Sequence, residues 1–572
     1  DFIKNDGTRI FALTRNRLVT SQSWPVEALA VQGSVQLEGY PREMFLDGDR
    51  VMVFSDVNDG AHDATPELAC GMGYHSPNTT KLTTLDVSDL TAPKVLEEVY
   101  LPGAYISSRR IGSSVRVVMS DRFRMPEGYR TYVDWTYDTD PDALKAAARR
   151  LMDANEQLIR GQSLDFWLRQ GKRVDASGNE TPIASACTDY HLPNAPTRSG
   201  LVTVATIDLA NAGAPVARTA VLGQAGTVYA SHEALYLASN HWWWEQRAGQ
   251  TDATYLHKFD LKDPARAAYL ASGTIAGTVK DQFSLDEKDG FLRIATTERT
   301  TKDSDDGWWF ATESTNRVSV IEQQGNRLEL VGKTDALAPT ETIFAARFMG
   351  NRGFLVTYRQ VDPLFTLDLS DPRNPRVVGE LKIPGFSTYL QPVDEHTLIG
   401  IGEDRDEDGS WSSRRLKLSL FDVTDLARPV ETFKQLIGSE NAYSEAAWSH
   451  KAFNYFAAKG TVAVPVSDWD DGAHGGEYWS RFTSGLQVFQ VDPATGFTPR
   501  GTLSFDDVYA NYAYAGWSYY YQPYVRRSVM ADDYVYAISD AGIRVSHVDS
   551  LDAPIATAPF TALEPNGAAA PA

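Results

Sequence analysis

Residues 364–408 read LFTLDLSDPRNPRVVGELKIPGFSTYLQPVDEHTLIGIGEDRDED. Four short runs stand out, LFTLDL, RVVGELKI, STYLQPV and HTLIGIG. Each alternates apolar with polar residues or is rich in β-branched ones, and Asp, Pro or Gly separates it from the next. The stretch predicts four antiparallel strands joined by short turns. Its first turn recurs along the chain. Asp86 begins DVSDLTAP, Asp368 begins DLSDPRNP, Asp422 begins DVTDLARP and Asp549 begins DSLDAP, with looser copies at Asp208, Asp260 and Asp492. Asp caps its own turn backbone, and Pro is tolerated at a strand's start or edge, so each copy marks the same joint. The step from 208 to 260 is 52 residues and that from 368 to 422 is 54. A period of this size built from four strands is a propeller blade.

The D-[VL]-[ST]-D-x-x-x-P turn followed by VVGELKIPG resembles the LVIVD-type repeats of secreted bacterial β-propeller proteins distantly related to WD-repeat proteins. The opening DFIKNDGTRIFALTRNRLV and the following LEGYPREMFLDGDRVMVFSD are similar to the start of that same family. The resemblance implies an all-β propeller in an extracytoplasmic setting, secreted, periplasmic or on the cell surface. It brings no catalytic motif with it.

On this reading residues 1–572 form a single propeller of eight or nine four-stranded blades. DFIKNDG and RIFALTR lack an inner pair of their own, and GIRVSHVDS with APIATAPF near the C-terminus is expected to supply it. The ring would then close by N- and C-terminal strands sharing one blade. Units are expected near 17–56, 80–121, 200–240, 254–298, 316–360, 362–404, 414–468 and 484–540.

Composition bounds the partners. The formal charge of −21 over 572 residues disfavours nucleic acid. No apolar run reaches the roughly 18 residues that a membrane helix needs. A chain opening on Asp1 reads as a processed or trimmed product. The two cysteines, Cys70 and Cys187, lie in separate insertions, and a disulfide between them is expected, with two free thiols as the alternative.

Departures from the repeat fall on one face. Residues 57–79, 122–199, 241–253, 299–315, 405–413 and 469–483 are expected to follow outer strands, and 506–524 to join middle strands. Both kinds of connection open on the same side of a ring. The 122–199 insertion contains a helix signal, DPDALKAAARRLMDANEQLIRG, with Asp140 as N-cap, Pro141 at the first helical position and Leu144, Ala148, Leu151 and Leu158 on one stripe. It is either a lid over a site or a packing spacer.

The same face carries DVNDGAHD from Asp56, DSDDGWW from Asp303, DRDEDGSW from Asp404 and DWDDGAHGGEYW from Asp468. Carboxylates two residues apart before a glycine can turn several oxygens toward a hard cation. Calcium is therefore expected at one or more of these loops, with Asp404, Asp406 and Asp408, or Asp56, Asn58 and Asp59, or Asp468, Asp470 and Asp471, or Asp303 and Asp305 as ligands. Ser412 and Arg415 stand where a further acidic ligand would complete the Asp404 loop. His62 and His474 occupy matching places, and His75, His191 and His241 lie in neighbouring loops, which would suit zinc or copper. No spacing fixes that geometry.

Aromatics gather there as well, including Trp242, Trp243, Trp308, Trp411, Trp479 and Trp517. They would stack on sugars, dock a protein, or bury one another under the insertion. There is no nucleophile elbow, phosphate-cradling glycine loop or S-x-x-K pair. Two functions follow. The first is a calcium-binding scaffold docking an extracellular protein or glycan through its acidic, aromatic face. The second is a metal-dependent hydrolase or oxidoreductase at the channel mouth.

Overall fold

The computed structural model describes residues 1–58, 79–136, 139–195, 197, 199–241, 247–303, 310–358, 362–405, 414–469, 482–507 and 524–560. These residues form nine consecutive four-stranded antiparallel units, at 3–36, 40–102, 104–222, 227–276, 285–333, 342–383, 386–437, 454–504 and 525–559, numbered here as blades 1 to 9. The fourth strands of blades 4 and 5 also touch through one parallel bridge, Ser272 with Arg327.

The core is the set of faces between blades. Phe11, Leu18, Met44 and Val53 fill the joint of blades 1 and 2. Val118, Val204, Leu235 and Phe259 fill that of blades 3 and 4, and Ile399, Leu418, Val462 and Val464 that of blades 7 and 8. The last joint closes the ring: Ile10, Ala12 and Val19 of blade 1 pack on Tyr536, Ile538 and Val545 of blade 9, and the Tyr536 hydroxyl donates to Ser23 O at 2.6 Å.

N- and C-terminal strands therefore meet, but not in one mixed blade. Arg15, at φ 51°, turns Arg17–Gln22 back along Arg9–Thr14, and Ala30–Gln36 completes blade 1 from N-terminal residues alone. The true blade boundaries thus lie half a blade from those expected. The acid turn that marks the repeat joins a blade's third strand to its fourth, as at Asp86, Asp368 and Asp422.

The half-blade shift exchanges the two kinds of long connection without changing their face. The stretches within 57–79, 121–201, 241–253, 303–310, 404–415 and 469–482 join second to third strands, while 504–525 joins blade 8 to blade 9. Strands alternate in direction, so both kinds of joint emerge at the same end of the ring.

The opposite end is fastened by the recurrent acid turn. Asp86 Oδ1 accepts from Ser88 N and Asp89 Oδ1 from Thr91 N, and Asp368 with Asp371 and Asp422 with Asp425 repeat this pattern. The turn presents one carbonyl to the preceding blade. Leu90 O accepts from Thr20 Oγ1 at 2.6 Å, and Leu426 O accepts from Thr366 Oγ1. Beneath these carbonyls lie Gly33 and Gly379, and Gly332 lies beneath Pro372 O. A β-carbon on any of the three would fall inside 3.0 Å of the carbonyl. In seven of the nine blades the third and fourth strands slip register by a bulge at this level, which adds twist and brings the fourth strand under its neighbour's turn.

The large insertion holds a helix, Pro141–Arg160, with Asp140 Oδ2 accepting from Ala143 N at 3.0 Å. Its Asn155 bonds Arg130 O at 2.7 Å within the same insertion. Strands Gly171–Asp175 and Glu180–Ile183 then extend the outer edge of blade 2, and Tyr190–His191 pairs with the outer strand of blade 3. Those three strands pack on the edges of the blades. Among the described residues no helix is long and apolar enough to cross a membrane.

Candidate functional site in the central channel

Propeller blades stand around a central channel, and first strands of neighbouring blades touch, as Thr342–Met349 does Phe386–Pro392. Two blade-to-blade connections enter the space. Residues 277–284 lead from blade 4 to blade 5, and residues 438–453 lead from blade 7 to blade 8. Local chemistry shapes both. Asp281 Oδ1 accepts from Phe283 N at 2.9 Å, and Ser444 Oγ accepts from Ala446 N at 3.1 Å, each starting a single helical turn. Ala446, Ala447 and Ala452 are small enough to press fully into the wall. Tyr443 and Ser467 exchange backbone bonds of 2.8 and 2.9 Å, tying the second connection to blade 8.

The two connections meet at the axis. Gln282 Nε2 lies 3.3 Å from His450 Nε2, and the Phe283 and His450 rings are 4.8 Å apart, edge to face. Tyr389 of blade 7 packs on Phe283 at 5.2 Å. Arg347 of blade 6 lies over the Phe283 ring at 5.1 Å. Arg109 of blade 3 donates to Val228 O at 2.6 Å and to Gln282 Oε1 at 2.7 Å. Lys451 pairs with Glu43 of blade 2, and the Tyr105 hydroxyl donates to Glu43 at 3.2 Å. These groups leave a cavity of about 490 Å³ lined by Arg109, Lys280, Gln282, Tyr389, Trp448 and His450 among others.

A second cavity of about 490 Å³ lies at the long-connection end, between Arg414, Asn441, Tyr443, Glu445, Trp469 and Tyr524. Its floor is an ionic clasp. Glu445 accepts from Arg526 Nε at 2.9 Å and Arg527 Nη1 at 2.8 Å, while Arg527 also pairs with Asp1 at 3.0 Å. The clasp joins the inserted connection to blade 9.

Electrostatics inside differ from the surface. Burial pushes His450 down to about 4, and the cations Lys451, Arg109, Arg527 and Arg347 push it the same way. Burial also holds Lys280 below the ordinary lysine range. The imidazole is therefore neutral at pH 7, a donor and acceptor among cations.

The expected site residues lie elsewhere, at the ends of second strands in blades 2, 5, 7 and 8. Asp404 accepts from Lys434 Nζ at 3.1 and 3.2 Å and lies 3.7 Å from Lys417 Nζ. Asp56 pairs with Arg42 at 2.8 Å, and burial raises its carboxyl. Asp468 accepts from Ser439 N at 2.7 Å, from Ser439 Oγ at 2.5 Å and from Trp469 N at 2.9 Å. Asp303 and Phe310 pair at the tip of blade 5, and Asn58 follows the second strand of blade 2. Asp59, Asp305, Asp406, Asp408, Asp470, Asp471, His62, His75, His474, Trp242, Trp243, Trp308, Trp411, Trp479 and Trp517 lie outside the described residues. His241 Nδ1 is 3.3 Å from the Tyr255 hydroxyl, and His191 packs on Tyr269. Cys187 is exposed and bonds no sulfur among the described residues, and Cys70 lies outside them. Among the described residues no group of three or more His, Cys, Asp or Glu is placed to hold a metal ion.

A family model described as "Beta propeller domain" matches residues 1–551. An uncharacterized protein of Archaeoglobus fulgidus is 38% identical over 222 residues, which cover 39% of this chain and 31% of that protein. Uncharacterized protein MJ1554 of Methanocaldococcus jannaschii is 42% identical over 165 residues, 29% of this chain and 24% of that protein. The matches thus span less than a third of either relative's length. Among solved structures, the periplasmic gluconolactonase PpgL of Pseudomonas aeruginosa aligns with 64% of this chain and 93% of its own at 12% identity and TM-score 0.33. Sqt1 of Saccharomyces cerevisiae aligns with 63% and 81% at 9% identity and TM-score 0.34.

Proposed function

The chain belongs to the beta propeller domain family, and from that premise we propose that it is an extracytoplasmic binding or scaffold protein that docks a protein or glycan through the end of the ring bearing the long connections. The supporting observation is their distribution. Blades 2, 3, 4, 5, 7 and 8 all place their longest internal connection at that end, whereas the other end carries the blade-fastening acid turns. A rigid ring presenting variable loops on one face is the usual division of labour between scaffold and recognition. The aromatic contacts Trp469 with Phe482 at 5.1 Å and Phe482 with Tyr524 at 5.3 Å stand at the roots of two such connections.

Calcium belongs to the proposal as an ordering ion for the acidic connections. Because Asp404 is taken by two lysines, Asp406, Glu407 and Asp408 are the carboxylates of that loop left to hold it. A Cys70–Cys187 bridge fits the same setting, and thiol titration of the denatured, unreduced protein tests it.

The experiment is a glycan array and an extracellular-protein array probed with the purified chain, with calcium and with chelator. Beside it runs a variant in which residues 470–481 are replaced by a two-residue turn. Binding by the parent chain that is lost in the variant, with both proteins equally stable, is the expected result. Binding that survives the replacement of this and the other long connections would refute the assignment of the face.

A further inference from the structure

The mid-channel cavity stands out for its charge. Arg109, Lys280 and Lys451 line it, and Arg347 reaches over Phe283 and Tyr389 at its wall. Among the described residues Arg109 bonds neutral oxygens, those of Ser107, Ser108, Val228 and Gln282. Arg347 rests on the two rings. Among the described residues Lys280 has one carboxylate near it, Asp281, at 4.0 Å, and a 3.4 Å bond to Thr388 O. Lys451 is paired with Glu43. Four cations thus face two carboxylates, Asp281 and Glu43, in a protein whose formal charge is −21. Cations gathered without matching acids inside an acidic fold repel one another at close range, and the low-dielectric walls increase that cost. Such an arrangement is stable when an anion completes it.

We propose that this cavity binds a small organic dianion, carrying two carboxylates or a phosphate. Arg109 of blade 3 and Lys280 of the 277–284 connection meet its charge, and Lys451 adds a third positive group. Neutral His450 and Gln282 supply hydrogen bonds, and Phe283, Tyr389 and the exposed ring of Trp448 flank its carbon skeleton. The excess of two positive charges sets the ligand's charge. The volume of about 490 Å³ sets its size, within the range of metabolite-scale pockets and too small for a macromolecule. Arginine on a fixed backbone and a lysine reaching in as a point charge are a common division of labour for such anions. The inference rests on different residues from the docking proposal, since none of the second-to-third-strand connections lines this cavity.

The test is calorimetric titration of the whole chain with inorganic phosphate and with succinate, at ionic strength held constant with sodium chloride, which separates the two chemistries from general salt effects. Lys280→Met and Arg347→Gln remove charge without cutting the bonds that Arg109 makes to the walls. Lys145→Met on the exposed helix is the control. One-to-one binding of either dianion, weakened at least about tenfold in both channel variants and unchanged in the control, is expected. Absence of binding to both dianions at about 10 mM, or equal affinity in all four proteins, would overturn the proposal. Should a channel variant fail to fold, thermal melts of the parent chain decide. Stabilisation by a dianion beyond that of chloride at equal ionic strength supports the site, and none refutes it.

Discussion

Replacing Gly379 by alanine probes the joint that repeats around the ring. An added β-carbon would lie 2.6 Å from Thr366 Oγ1 and closer still to Leu426 O, the carbonyl that the acid turn of blade 7 presses onto blade 6. Ordinary carbon–oxygen contact needs about 3.4 Å, so the turn must retreat by roughly 1 Å. The retreat breaks the bond from Thr366 to Leu426 O. Overpacking costs about 1–3 kcal/mol and the lost hydrogen bond about 1. The reduced freedom of the unfolded chain returns roughly 0.4–1. The net expectation is a loss of about 2–3 kcal/mol, read as a lowered urea midpoint with unchanged slope. Gly226→Ala is the matched control, because its β-carbon would meet nothing nearer than Ala238 O at 3.5 Å. A Gly379→Ala protein unfolding at the same urea concentration as the parent would refute the account of how blades are fastened.

Other perturbations have outcomes set by the same contacts. Asp404→Asn strips the carboxylate from Lys417, whose side chain is fully buried, and is expected to cost about 3 kcal/mol in urea melts with or without added calcium. Burial raises the Glu445 carboxyl, but Arg526 and Arg527 outweigh it and hold the group below its usual range. A depressed folded value gives stability above the unfolded pKa of about 4.3 that is lost as pH falls through the folded value, so Glu445→Gln should flatten the acid limb of the pH–stability curve. Burial also pushes His257 down to about 4 from the ordinary 6.5. Its neutral form therefore contributes stability above pH 6.5 that declines as pH falls toward 4, by about 3 kcal/mol in all, and His257→Gln should remove that part of the slope.

The propeller was legible because its signal is local and repeated: alternating strands, and an acid turn whose side chains bond backbone two residues on. Blade phase was not legible, since Arg17–Gln22 reads equally well as the start of one blade or the third strand of another. The Arg15 turn decides it by folding Arg17–Gln22 back on Arg9–Thr14, which leaves the C-terminal strands to form a blade of their own. The face bearing the insertions survived the error in phase because a shift by two strands preserves strand direction. The channel was invisible for a different reason. Arg109, Gln282, Arg347, Tyr389 and His450 come from different blades or connections, and their proximity is a property of ring closure. The one linear clue is the length of the 438–453 connection, whose NAYSEAAWSHKAF is small-residue-rich where a tight link would suffice. Asp404 and Asp468 were read as cation ligands from spacing alone. Lysines on the third and fourth strands of blade 7 claim Asp404, and Ser439 beyond that blade claims Asp468, none of them adjacent in sequence.

Hydrogen exchange of the chain alone and bound to a partner identified on the arrays bears most directly on the proposed role. The account predicts protection in the second-to-third-strand connections, above all 57–79 and 469–482, with the acid turns at 86–94, 368–376 and 422–430 exchanging as in the free protein. Protection concentrated in those turns, with the long connections unchanged, would place the docking surface on the opposite end of the ring and contradict it.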